Sequence, residues 1–148
     1  MANRVERVQK LVELAEMESD KAAQTLALLQ EQHATAVEQY NALLGYEQEY
    51  AQNPVSQTSI TPIQLQTHFT FGEKLNQALF AQVKQVEESN KMADLAQEAW
   101  IEKHTRVKAL QALLKKIEKS QVAEFNKQEQ KLTDELALQK SLINNSSF

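Results

Sequence analysis

A hydrophobic repeat of alternating three- and four-residue steps runs through nearly the whole chain and is interrupted once. Positions 5, 8, 12, 15, 19, 22, 26, 29, 33, 36, 40, 43, 47 and 50 read V, V, V, A, S, A, L, L, H, A, Y, L, E, Y, and eleven of the fourteen are apolar or aromatic. Spacing of this kind, sustained for seven heptads, makes one narrow stripe, which is a coiled-coil seam. A helix packing into a globular core would show a wider stripe. A second series at 65, 68, 72, 75, 79, 82, 86, 89, 93, 96, 100, 103, 107, 110, 114 and 117 reads L, H, G, L, L, Q, V, S, A, A, W, K, V, L, L, I, with eleven of sixteen fitting. Past Ile117 the frame slips by one residue, and Val122, Phe125, Leu132, Leu136 and Ile143 continue in the new phase. Such a slip changes the local supercoil.

The interruption at 52–62, QNPVSQTSITP, holds both prolines and no charge. The whole 148-residue chain has only 2 Gly and 2 Pro, too few turn residues for an α/β or all-β fold, and only 6% aromatics, too few for a large globular core. Ala, Gln, Glu, Lys and Leu dominate, all good helix formers. The fold class predicted is all-α, two long helices forming one antiparallel coiled-coil hairpin. Helix one covers about 4–52, a loop about 53–61, and helix two about 62–143, in a single domain. Thr61 is placed to cap helix two, with Pro62 at its first position and Gln64 three residues after the cap. Asn53 before Pro54 stops helix one, and the tail NNSSF at 144–148 is expected to fray.

A short loop forces the helices antiparallel, so an a position of one helix faces a d position of the other. The loop centre sets Val5 against Leu110, Val8 against Val107, Ala15 against Trp100, Leu29 against Val86 and Leu43 against Gly72. His33 then meets Gln82 and Glu47 meets His68, so the polar exceptions find polar partners. Sliding by one heptad sets Glu47 against Leu75, a poorer match. In the chosen register residues 112–143 have no partner within the chain, about 48 Å of helix overhanging at the C-terminal end of helix two. That stretch carries Leu113, Leu114, Ile117, Val122, Phe125, Leu132 and Leu136. It must fray, self-associate or enter another protein, because an isolated helix is only marginally stable.

Chemistry is sparse. Lys plus Arg is 16 and Asp plus Glu is 20, a net charge of −4 that does not point to nucleic acid. A basic run, Lys103, Arg106, Lys108, Lys115, Lys116 and Lys119, reads either as a charged coiled-coil flank or as a docking surface for an acidic protein. Cysteine is absent, which excludes a disulfide framework and is consistent with the cytosol. The N-terminal residues lack an apolar signal region, and no stretch approaches 18 uncharged apolar residues, so membrane insertion is not expected. No phosphate-binding glycine loop occurs. His33, His68 and His104 lie too far apart to share a metal. No catalytic residue, metal or cofactor is expected, and the chain is not read as an enzyme.

One end of the hairpin is more informative. Gln39, Leu43, Tyr46 and Tyr50 are spaced i, i+4, i+7, i+11, and Phe71, Leu75, Ala78 and Gln82 repeat that spacing on helix two. Both quartets combine g and d positions, and in an antiparallel pair the g flanks meet on one side. The eight residues therefore converge on one face near the tip. Tyr46 and Phe71 lie off the central seam, where they either broaden the core or serve as exposed binding anchors.

These residues resemble the FliJ family of flagellar export proteins. The resemblance rests on the paired tip pattern, on the Ala99–Trp100 pair followed by KALQALLKK at 108–116, and on QEQKLTDELA at 128–137. It implies a cytoplasmic component of the flagellar type III export apparatus, peripheral to the inner membrane at the flagellar base. It further implies a stalk-like coiled coil that binds the hexameric export ATPase, the cytoplasmic part of the membrane export gate, and export chaperones. The octet would contact the export gate. Gln82 departs from the family pattern, which often has His there. Leu113, Leu114, Ile117, Val122 and Phe125 would face the ATPase, by joining the family picture to the overhang. The chain is expected to be a monomer when free. Competing readings are a structural homodimeric coiled coil, the equivalent stalk of a virulence secretion system, and a helical enzyme using carboxylates.

Overall fold

The computed structural model describes residues 3–52 and 61–146. Helix α1 spans Arg4–Gln52 and helix α2 spans Pro62–Asn145, with no strand among the described residues. The expected loop and its Asn53–Pro54 stop lie outside the described residues, apart from Thr61. The start of α2 matches the expected capping box. Gln64 N–H donates to Thr61 Oγ1 and Thr61 N–H donates to Gln64 Oε1, each at 3.3 Å, which satisfies two amides reciprocally. α1 has a cap the pattern did not reveal, since Asn3 Oδ1 accepts from Glu6 N–H at 2.9 Å. At the far end α2 stays helical to Asn145 rather than fraying from 144, and Ser146 N–H reaches the Leu142 carbonyl at 3.1 Å.

The chain divides into two compact units, each pairing an α1 segment antiparallel with an α2 segment. In Met1–Glu18 with Lys103–Phe148, Val8, Val12 and Ile117 form a buried cluster, and Val5, Leu110 and Leu114 pack on it. Gln111 Nε2–H donates to Glu16 Oε1 at 3.2 Å on one flank, and Lys103 Nζ stands 3.4 Å from Glu18 Oε2. The second contact is largely exposed and adds little to stability.

In Ser19–Glu102 the buried positions are mostly small: Ser19, Ala36, Ser89, Ala93 and Ala96, with Leu75 the large exception. No large side chain is fully buried in the described structure, because two helices alone cannot cover a residue on all sides. Every expected seam position from 68 to 117 is nevertheless buried or half-buried, and on α1 only Glu47 of the expected set is exposed.

The register differs from the expected one by a heptad. His33 Nδ1 lies 3.0 Å from Ser89 Oγ, whereas Gln82 was its expected partner. Gly72 faces the Tyr50 ring rather than Leu43. The physical reason lies in these two irregular layers. A tyrosine ring needs the space that only glycine leaves, and a half-buried imidazole needs a polar group. Glu47 does not have to meet Leu75 head-on, since its long side chain turns to solvent while Leu75 is buried at 7% exposure.

The new register also moves the start of the unpaired helix. Leu114 and Ile117, expected to be without a partner in the chain, are packed against Val5, Val8 and Val12, and Ile117 is only 7% exposed. From Glu118 to Ser146 every described residue is exposed.

Candidate functional site

The octet falls within the unit Ser19–Glu102, and the structure sorts it into two sets. Leu75 is buried, and Leu43, Tyr50, Ala78 and Gln82 are half-buried. Tyr46 and Phe71 are the large exposed members, at 56% and 52%. Gln39 is exposed and linked to Gln82, whose Nε2–H groups reach the Ala36 carbonyl at 2.9 Å and Gln39 Oε1 at 3.3 Å. Gln82 thus ties the flank of α2 to the backbone of α1, which a shorter side chain could not do.

Tyr50 is turned inward. Its hydroxyl donates to the His68 carbonyl at 3.1 Å, and its ring stacks on the His68 imidazole with centroids 4.2 Å apart and 15° between planes. Phe71 tilts against the same ring at 5.8 Å. Gly72 makes this pose possible, because a β-carbon there would sit 2.6 Å from Tyr50 Oη and 2.9 Å from Cζ. Tyr46, Glu49, Tyr50, His68 and Phe71 together line a cleft of about 230 Å³.

Deeper in the same unit, the His33–Ser89 pair has an assignable proton. The Ser89 hydroxyl donates to the Val86 carbonyl at 2.9 Å, so its oxygen accepts from the Nδ1–H of His33.

Pattern reasoning singled out the octet and placed Gly72 and His68 on the seam, but it did not join Gly72, His68 and Glu49 to the surroundings of Tyr50. A readable signal existed for the first, since Gly72 is one of only 2 glycines and occupies a seam position. A charge signal also went unread. Between Lys21 and Lys74 there is no Lys or Arg, while Glu31, Glu38, Glu47, Glu49 and Glu73 give that segment −5 against −4 for the whole chain.

In the other unit, Leu113 is 39% exposed and Val122 and Phe125 are about three-fifths exposed, with Leu132, Leu136 and Ile143 continuing the stripe. Lys115, Glu118, Lys119, Val122, Ala123 and Asn126 line a shallow groove along it. Among the described residues no group of three His, Cys, Asp or Glu is placed to hold a metal, and no helix is long and apolar enough to cross a membrane.

Comparison with known proteins agrees with the family resemblance. The family model described as "Flagellar FliJ protein" matches residues 4–146. The flagellar FliJ protein of Escherichia coli strain K12 is 30% identical over 129 residues, covering 86% of this chain and 88% of that protein.

Proposed function

The chain belongs to the FliJ family of flagellar proteins, and on that premise we propose that it is a non-catalytic, stalk-like component of flagellar protein export. It works by offering different stretches of one coiled coil to different partners. The face built from Gln39, Leu43, Tyr46, Tyr50, Phe71, Leu75, Ala78 and Gln82 meets the cytoplasmic part of the export gate. The observation that carries this is the exposed pair Tyr46 and Phe71, held at one edge by an interlocked Tyr50, while the seam residues beneath them are already buried. Tyrosine and phenylalanine are enriched at protein interfaces, and tyrosine among binding hot spots.

The second contact is the exposed stretch of α2. Leu113, Val122 and Phe125 remain candidates for the ATPase ring, joined by Leu132 and Leu136, whereas Leu114 and Ile117 support the hairpin itself. Covering one Leu or Phe side chain contributes roughly 1.5–3 kcal/mol, enough for several such residues to hold a partner. Export chaperones would use either surface. The test is binding of the purified chain to the gate's cytoplasmic part and to the ATPase. Tyr46→Ala with Phe71→Ala should lose gate binding and keep ATPase binding; normal gate affinity and normal swimming in that variant would reject the assignment.

The same exposed stripe also fits a second copy of the chain. Sedimentation over a range of concentrations separates the two, since a monomer at all concentrations excludes the dimer.

A further inference from the structure

We propose that the cleft lined by Tyr46, Glu49, Tyr50, His68 and Phe71 receives a cationic side chain, best an arginine, from the partner that docks on this face. The proposal rests on the reading of that face as the export-gate contact and names the chemistry that the gate must supply there.

Three observations converge. The lining consists of four rings and one carboxylate, with no Lys or Arg. Lys74 lines the neighbouring groove that shares Phe71, not this cleft. Aromatic faces attract cations through their quadrupole, and the planar guanidinium both stacks on rings and pairs with a carboxylate. Next, the cleft is built before any partner arrives. Tyr50 cannot swing freely, because its hydroxyl is spent on the His68 carbonyl, its ring is stacked on the imidazole, and Gly72 leaves no gap beneath it. Glu49 at the mouth is exposed, and the ion pair between Lys103 and Glu18 lies elsewhere. Finally, the surrounding segment has no Lys or Arg between Lys21 and Lys74 and carries five glutamates, so its field favours an approaching cation over an anion. The chain shows the same contact internally, where Lys84 Nζ stands 4.7 Å above the exposed Phe80 ring.

Two measurements test this. In the first, aromatic resonances of the full chain are followed by NMR during titration with N-acetyl-arginine amide or N-acetyl-leucine amide. Saturable shifts of Tyr46, Tyr50, His68 and Phe71 are expected with the arginine compound alone, and they should vanish in Glu49→Gln. Absence of saturation, or an equal response to leucine, overturns the proposal. In the second, affinity for the purified cytoplasmic part of the export gate is measured at low and high salt. Glu49→Lys should weaken it by about ten-fold or more and flatten its salt dependence, whereas Glu38→Lys, outside the cleft, should change it by less than about two-fold. If Glu49→Lys binds normally while Tyr46→Ala does not, the cation proposal is wrong and the gate reading stands. If the wild-type chain ignores the gate while the arginine titration saturates, the gate reading fails and the cleft's preference stands.

Discussion

Replacing Gly72 with alanine should destabilise the hairpin even though alanine is the better helix former. In an exposed helix interior the exchange gains about 1 kcal/mol from propensity. Here the new methyl would lie 2.6 Å from Tyr50 Oη and 2.9 Å from Cζ, inside the closest approach real atoms adopt. The obstructing atoms are the far end of a side chain, so the ring swings out and the helices stay in place. What is lost is the hydroxyl bond to the His68 carbonyl and the contacts with the His68 and Phe71 rings. A net hydrogen bond is worth about 0.5–1.5 kcal/mol and the two ring contacts, one of them tilted and distant, together a similar amount. The balance is a loss of roughly 0–2 kcal/mol in the wild-type background. In a Tyr50→Ala background the obstruction is gone, and the same substitution should stabilise by about 1 kcal/mol. Urea unfolding of the four proteins, followed by circular dichroism, gives the coupling directly. It should be about 1–3 kcal/mol, above the additivity error for separate sites. Were Gly72→Ala to act with the same sign and size in both backgrounds, the seat for Tyr50 would not be the reason glycine stands there.

Other substitutions probe the register and the exposed helix. Ile117→Ala should cost about 2–4 kcal/mol because it empties the cluster with Val8 and Val12, whereas Phe125→Ala should stay within about 0.5 kcal/mol; equal small losses in urea unfolding would restore the register in which Ile117 lacks a partner. His33→Leu should cost about 1–2 kcal/mol by stripping Ser89 Oγ of its donor, and adding Ser89→Ala should recover part of that loss in the same melting experiment. Truncation after Ser120 should leave the thermal unfolding of the hairpin nearly unchanged and abolish ATPase binding in a pull-down; retained binding would move that contact to the paired helices. Lys103→Ala should change stability by less than about 0.5 kcal/mol, since its pairing with Glu18 is exposed, and a larger loss would mean the stem of Lys103 packs on the seam.

Much of this protein was legible from residue order alone because the information is local. Heptad spacing names the buried stripe residue by residue, and the seam positions from 68 to 117 are covered as expected. The Thr61–Gln64 cap at the start of α2 depends only on near neighbours in the chain, and it appears as read. The octet's shared flank follows from the same periodicity. Register is a different kind of quantity. A repeating stripe matches itself after a shift of one heptad, so the apolar layers distinguish two registers weakly. The irregular layers break the tie, and their energies depend on three-dimensional fit: whether the Tyr50 ring fits against Gly72, whether His33 reaches Ser89, whether Glu47 can bend away to solvent. Tertiary structure therefore decided which residues of α2 are left uncovered, burying Ile117, half-burying Leu114 and leaving Val122 onward exposed. It likewise turned Tyr50 inward and assembled the cleft from two helices that are adjacent only after pairing, which no local pattern can specify.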